Sequence, residues 1–218
     1  MLQANSNTVF NENNFLKSLG AIGINEKYMY DYPETLKFNF ELFKSQFKKT
    51  EVIIKNKNDE PLFKIFNDKY FKITDMNNNV IFNFRVEAKR FSAADIKIHT
   101  WLENDIFNKN YIKISKKELH NYTFKEKGIN KFDSYQVTFS DAENENINLE
   151  VDINNMKNLI IYYEKNNQKI EICNNSYKNN EYTLNINSRV DVLLIVSIFF
   201  SILQINKVFT CNIINPFD

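Results

Sequence analysis

Glycine is almost missing from this chain. Only Gly20, Gly23 and Gly128 occur in 218 residues. P-loop, Rossmann and nucleophile-elbow sites need clustered glycines for tight turns and close approach to phosphate, so enzymes of those classes are excluded. Cysteine is equally scarce. Cys173 and Cys211 permit one disulfide at most and have no metal-ligand spacing, which fits a reducing, intracellular compartment better than a stapled secreted domain. Excess charge is also lacking: a net +1 with pI 7.6 disfavours a general nucleic-acid binder and leaves any anion binding to a local patch. The two histidines, His99 and His120, have no neighbouring Cys, His or carboxylate cluster and point to structural roles, not to metal or base catalysis. The opening MLQANSNTVFNENNFLKSLG has no basic start followed by an apolar run, so it reads as a polar extension over residues 1–31 and not as a secretory signal.

What the chain has instead is asparagine, 36 of its 218 residues. Asn tolerates positive φ better than any other non-glycine residue, so it can serve as the turn former that glycine usually is. Hydrophobic residues at 43% and charged ones at 25% supply an ordinary core, and residues 32–218 read as one domain.

From Leu36 onward the dominant period is two. LKFNFELF, VIFNFRVE, DIKIHTWL, INLEVDI and EYTLNI alternate apolar with polar residues, the pattern of strands with one buried face. Shorter runs at EVIIK, PLFKIF, YFKIT, YIKIS, SYQVTF, NLIIYY and KIEIC bring the number to about a dozen. Connectors such as KNKNDEP, DMNNN, SDAENEN and EKNNQK read as hairpin turns, so the topology is an antiparallel meander. Such a sheet must stack on a second sheet or close on itself, and either solution needs filling.

The filling is near the C-terminus. Val192 to Ile205 contains only Ser197, Ser201 and Gln204 as polar members, too long a run for a strand and unbroken by turn residues. Ser188 and Asp191 match a capping box, so the expected helix covers about 189–206. A membrane span is the rival, but Gln204, Asn206 and Lys207 end the run short of the ~20 apolar residues a bilayer requires. The expected fold is mainly β: a closed antiparallel barrel of about twelve strands around a central hydrophobic helix. A β-sandwich with a helix across one end is second.

Two segments carry a resemblance. FKITDMNNNVIFNFR, Phe71 to Arg85, is similar to the strand, turn, strand signature of LURP-one-related proteins, T-D-x-N-G-N followed by V-x-F, with Asn78 at the glycine position. EYTLNINSRVDVLLIVSIFFSILQI resembles the end of the same domain, where G-V-D precedes a long apolar helix; Arg189 stands for that glycine, and Val190 and Asp191 are kept. The resemblance spans roughly Tyr32 to Lys207, with Ala88 to Lys131 matching poorly. It implies kinship with tubby C-terminal domains and phospholipid scramblases, and a twelve-stranded barrel around a central helix.

Chemistry-bearing motifs are few. Asp75, Asn77 and Asn79 have the spacing of the first three EF-hand ligands, but Val80 and Val86 stand where the loop needs Gly and Glu, so a plain hairpin turn is the better reading. Cys173 and Cys211 read as buried thiols. Small basic clusters occur at Lys48 and Lys49, Lys55 and Lys57, Lys89 and Arg90, and Lys116 and Lys117. The resemblance brings membranes into view, and Lys89 with Arg90 is then the lipid-binding candidate, a point charge beside a planar fork for phosphate oxygens. The expected function is a non-catalytic, monomeric, cytoplasmic module without metal or cofactor, binding phosphoinositide or other lipid headgroups, or a partner, at the membrane periphery. A scramblase-like protein and an adaptor with no lipid contact are the alternatives.

Overall fold

The computed structural model describes residues 21–23, 26–39, 50–67, 70–88, 96–102, 110–117, 124–125, 128–129, 132–140, 146–154, 158–165 and 168–211. After a 3-10 turn at Glu26–Tyr28 come β1 (Glu34–Asn39), β2 (Thr50–Lys55), β3 (Pro61–Asn67), β4 (Phe71–Thr74), β5 (Val80–Ala88), β6 (Ile96–Leu102) and β7 (Asn110–Lys117). The short β8 (Phe124–Lys125) and β9 (Gly128–Ile129) pair only with each other. Then follow β10 (Phe132–Ser140), β11 (Asn146–Asn154), β12 (Asn158–Lys165), β13 (Gln168–Lys178), β14 (Glu181–Ile186) and the helix α1 (Val192–Cys211). The protein is thus mainly β with a single C-terminal α-helix among the described residues. Each of the twelve runs with strand character in the sequence forms a strand.

Twelve strands pair antiparallel in the order β1-β14-β13-β12-β11-β10-β7-β6-β5-β4-β3-β2. The order returns to its start at one register pair, Lys37↔Lys55. Alternation decides which face is inside. In β14 Tyr182, Leu184 and Ile186 are buried while Glu181 and Asn185 are exposed; β1 buries Leu36 and Phe38, and β11 buries Ile147, Leu149, Val151 and Ile153. The inward residues meet α1, whose Val192 to Leu203 are all at most 5% exposed. Phe199 and Phe200 pack on Phe38 with ring centroids 5.5 and 5.2 Å away; Tyr182 lies 5.2 Å from Phe199, and Phe71 6.3 Å from Phe200. A helix apolar on every side is stable only where strands or other helices remove its whole surface from water.

Its two buried serines need no outside partner. Ser197 Oγ donates to the Leu194 carbonyl at 2.8 Å and Ser201 Oγ to the Ser197 carbonyl at 2.6 Å, the back-bonding that hides a hydroxyl inside a helix.

The helix starts later than its sequence suggests. Asp191, not Ser188, is the N-cap: its Oδ1 accepts from the Leu193 and Leu194 N–H groups at 2.9 and 3.2 Å, and its carbonyl takes the first helical bond from Ile195. Arg189 occupies a left-handed turn at φ 62°, which the helix interior could not accommodate. Beyond the expected end near residue 206 the helix continues to Cys211.

A strap from the N-terminal side holds this entrance. Ile22 N–H donates to the Arg189 carbonyl at 3.0 Å, Asp191 N–H to the Ile22 carbonyl at 2.8 Å, and Arg189 N–H to the Tyr30 carbonyl at 2.6 Å. Ile22 and Tyr28 join the core.

Candidate functional site

The DMNNN turn takes the shape its side chains dictate. Asp75 Oδ1 accepts from the Asn77 and Asn79 N–H groups at 2.9 and 2.8 Å, and Oδ2 accepts from Asn79 Nδ2 at 2.8 Å. Asn78 N–H closes the turn on the Asp75 carbonyl, and Asn78 adopts φ 68°. The Asn79 amide, followed by the two backbone N–H groups, holds the Asp75 carboxyl below the usual carboxylate range. Alternate acidic and amide residues therefore serve the turn. The carboxylate is occupied by donors of its own loop, and among the described residues no group of three Asp, Glu, His or Cys is placed to hold a metal ion.

The β2–β3 turn repeats this geometry with different letters. Asn56 Oδ1 accepts from the Asn58 and Glu60 N–H groups at 2.9 and 3.0 Å, Asn56 Nδ2 donates to Glu60 at 2.7 Å, and Asp59 takes φ 65°. In each case a lysine from the strand before the hairpin, β1 or β3, reaches the left-handed residue. Lys37 Nζ lies 3.2 Å from Asp59 Oδ1, and Lys64 Nζ lies 2.9 Å from Asn78 Oδ1. Asn179 and Asn180, at φ 53° and 63°, form the two-residue link from β13 to β14 that Asn makes possible without glycine.

Charge on the outer face is unevenly distributed. Over β11 to β13, Glu150, Asp152, Glu164 and Glu171 surround Tyr162 and Lys169. Lys169 Nζ lies 2.6 Å from Glu150 Oε1 and 5.7 Å from the Tyr162 ring centroid. The Glu150 hydrogen bond, outweighing partial burial, raises the Lys169 pKa, while burial followed by Asp152 and Glu171 raises that of Tyr162. On the other side, Lys72 of β4 is paired in register with Asn83 of β5. Arg85 stands two residues beyond Asn83 on the same face, so Lys72 and Arg85 are diagonal neighbours, about 7–8 Å apart for such positions. Lys72 Nζ lies 5.7 Å from the Tyr70 ring centroid. Among the described residues neither Lys72 nor Arg85 has an ion-pair partner. Sequence reading favours basic residues that are adjacent in the chain. This pair lies on two strands, and only their register brings it together.

Of the residues singled out in the sequence, Lys89 and Arg90 directly follow Ala88 at the end of β5 and lie outside the described residues, as do Lys48, Lys49 and His120. His99 sits in β6 as the register partner of Arg85. Lys116 and Lys117 close β7. Lys55 is half-buried and Lys57 exposed. Cys173 is buried beside a bulge that also turns Ile172 inward, its Sγ lies 3.7 Å from the Asn174 carbonyl, and burial pushes its thiol pKa far up. Such a thiol is protonated and inert in the folded protein. Cys211 lies in the last residue of α1. Among the described residues no helix is long and apolar enough to cross a membrane. No family model, curated protein or solved structure matches this chain.

Proposed function

We propose that the chain is a non-catalytic, tubby-like module in which the strands close as a barrel around α1, and that it binds anionic lipid headgroups or a partner at a membrane face. One observation carries the reading. Both positions where the LURP-one-related pattern has glycine, Asn78 and Arg189, adopt left-handed backbone at φ 68° and 62°. Among the described residues only Asp59, Asn179 and Asn180 share this backbone with them, so both glycine positions of the pattern fall within a small set of left-handed points, one in the hairpin and one at the helix entrance. The return of the strand order to β1 and the complete burial of α1 from Val192 to Leu203 support the same architecture.

Sedimentation with vesicles tests the function. With a net charge of only +1, attraction to anionic lipid must be local, each Lys or Arg near the surface contributing about 1 kcal/mol, and must weaken as salt rises. The chain is expected to sediment with phosphoinositide-containing vesicles at low salt and to stay in solution with phosphatidylcholine vesicles. Failure to sediment with either at low salt removes the lipid reading and leaves the adaptor.

A further inference from the structure

We infer that the strap, residues 21–23 and 26–32, is a latch that opens on its own, ahead of the sheet, and that its opening uncaps α1, so that whatever draws the strap away acts on the helix inside the core. The strap pairs with consecutive residues of the helix entrance: Ile22 bridges Val190 in parallel and Met29 bridges Asp191 antiparallel. Its backbone supplies partners for the Arg189 carbonyl, the Arg189 N–H and the Asp191 N–H. The start of α1 depends on these same two residues, on Arg189 through its left-handed turn at φ 62° and on Asp191 through its bonds to the Leu193 and Leu194 N–H groups. The fit between strap and cap is close, since a Cβ on Gly23 would overlap that of Asp191.

The strap is held by much less than the strands are. It meets the helix entrance in two isolated bridges and three backbone bonds, whereas β10 pairs with β11 along its whole length, from Phe132 to Ser140. Among the described residues Ile22 and Tyr28 are its members of the buried core, Tyr28 standing edge-on to Phe63 at 6.1 Å. Asp31, Tyr32 and Pro33, which join it to β1, are exposed. A segment with few buried apolar side chains and an exposed hinge opens at a lower free energy than the ladders around it. The residues beneath it favour the opening. Asp191 is 1% exposed, and a buried carboxylate regains hydration when its cover lifts. A non-glycine residue in the left-handed region is unfavourable by itself, so Arg189, released from Ile22 and Tyr30, relaxes and carries Asp191 off the first turn of α1.

Native-state hydrogen exchange on the full chain tests this, read at single amides by NMR where exchange measures the opening equilibrium. Five amides report on the latch: Ile22, Arg189 and Asp191, which are bonded across it, and Leu193 and Leu194, which are bonded to the Asp191 cap. In the parent all five are expected to exchange through one opening, faster than the amides of β10 and β11 and with a weaker dependence on denaturant, because the latch exposes less surface than unfolding does. Two variants act in opposite ways. Leu149→Ala cuts a buried side chain in β11, so it should speed exchange in β10 and β11 by about tenfold or more and leave the five at the parent rate. Ile22→Ala should speed the five by a similar factor. If the five share the opening free energy of β10 and β11 and quicken with Leu149→Ala, the strap opens only with the whole molecule and the latch is overturned. Fast exchange at Ile22, Arg189 and Asp191 with Leu193 and Leu194 as protected as the sheet means that the strap opens without the helix, which overturns the coupling. Should either variant fail to fold, the denaturant dependence in the parent decides alone, since a latch and a global opening differ there in slope.

Discussion

Asparagine does the work of glycine at single positions, and the cost is measurable there. A non-glycine residue in the left-handed region costs roughly 1 kcal/mol, less for Asn because its short side chain bonds locally. Asn78 at φ 68° also accepts from Lys64 Nζ, an exposed bond of small value. Asn78→Gly is therefore expected to melt at or slightly above the parent temperature, and Asn78→Val to lose about 1 kcal/mol or more, since a β-branched side chain fits this backbone worst. Equal melting temperatures for the two variants would remove the assignment. The neighbouring Asp75 gives a pH dependence whose sign is fixed. Its folded-state pKa is depressed, chiefly by the Asn79 amide, so its contribution is fully present above the unfolded carboxylate pKa and is lost as pH falls through the folded one. Acid should accordingly destabilise the parent more than Asp75→Asn, and the Asp75 carboxyl should titrate by NMR below the usual aspartate range.

At the scale of elements, five of the twelve strand-like runs are marked by alternation, because a strand with one buried face repeats every two residues wherever it stands, and the shorter ones by apolar runs between Asn-rich turns. EYTLNI and INLEVDI are legible for that reason. The helix was legible by its uninterrupted apolar length, but its start was not. Ser188 and Asp191 satisfy the spacing of a capping box, and the competing fact, a left-handed turn at Arg189, is a backbone property that the letter Arg conceals. The strap was illegible as well, since Ile22 and Tyr28 lie in a short stretch, AIGINEKYMY, that reads as part of the extension over residues 1–31. Lys72 and Arg85 required the register. The strap and cap together make a prediction. A Cβ at Gly23 would overlap the Asp191 side chain and approach Met29 Cε to 2.7 Å, so Gly23→Ala must displace either the strap or the cap. Losing the cap alone costs about 1 kcal/mol. Thermal melts should show Gly23→Ala destabilised by at least that much, Asp191→Ala by a similar amount, and Asp191→Asn by less, because Asn caps nearly as well. A Gly23→Ala variant as stable as the parent would mean that the strap does not press on the helix entrance.

Across the whole molecule the sheet and helix share one packed unit, since α1 contributes apolar surface to the core and has no exposed face of its own between Val192 and Leu203. Cys173 reports on that unit from within. It lies in β13 near the bulge opposite Ile161 and Tyr162, is 1% exposed, and its pKa is raised first by burial and then by Glu171. Thiol reagents need both access and thiolate, and the fold denies both. In a Cys211→Ser background, Cys173 should therefore label only when its surroundings open. If β13 opens only with the whole core, the free energy of opening from labelling rates equals the free energy of unfolding from denaturant, and the two fall together when a core residue such as Leu184 is cut to Ala, by about 2–5 kcal/mol. Labelling much faster than global unfolding allows, and unchanged by Leu184→Ala, would show instead that the sheet parts locally at the bulge while α1 stays enclosed.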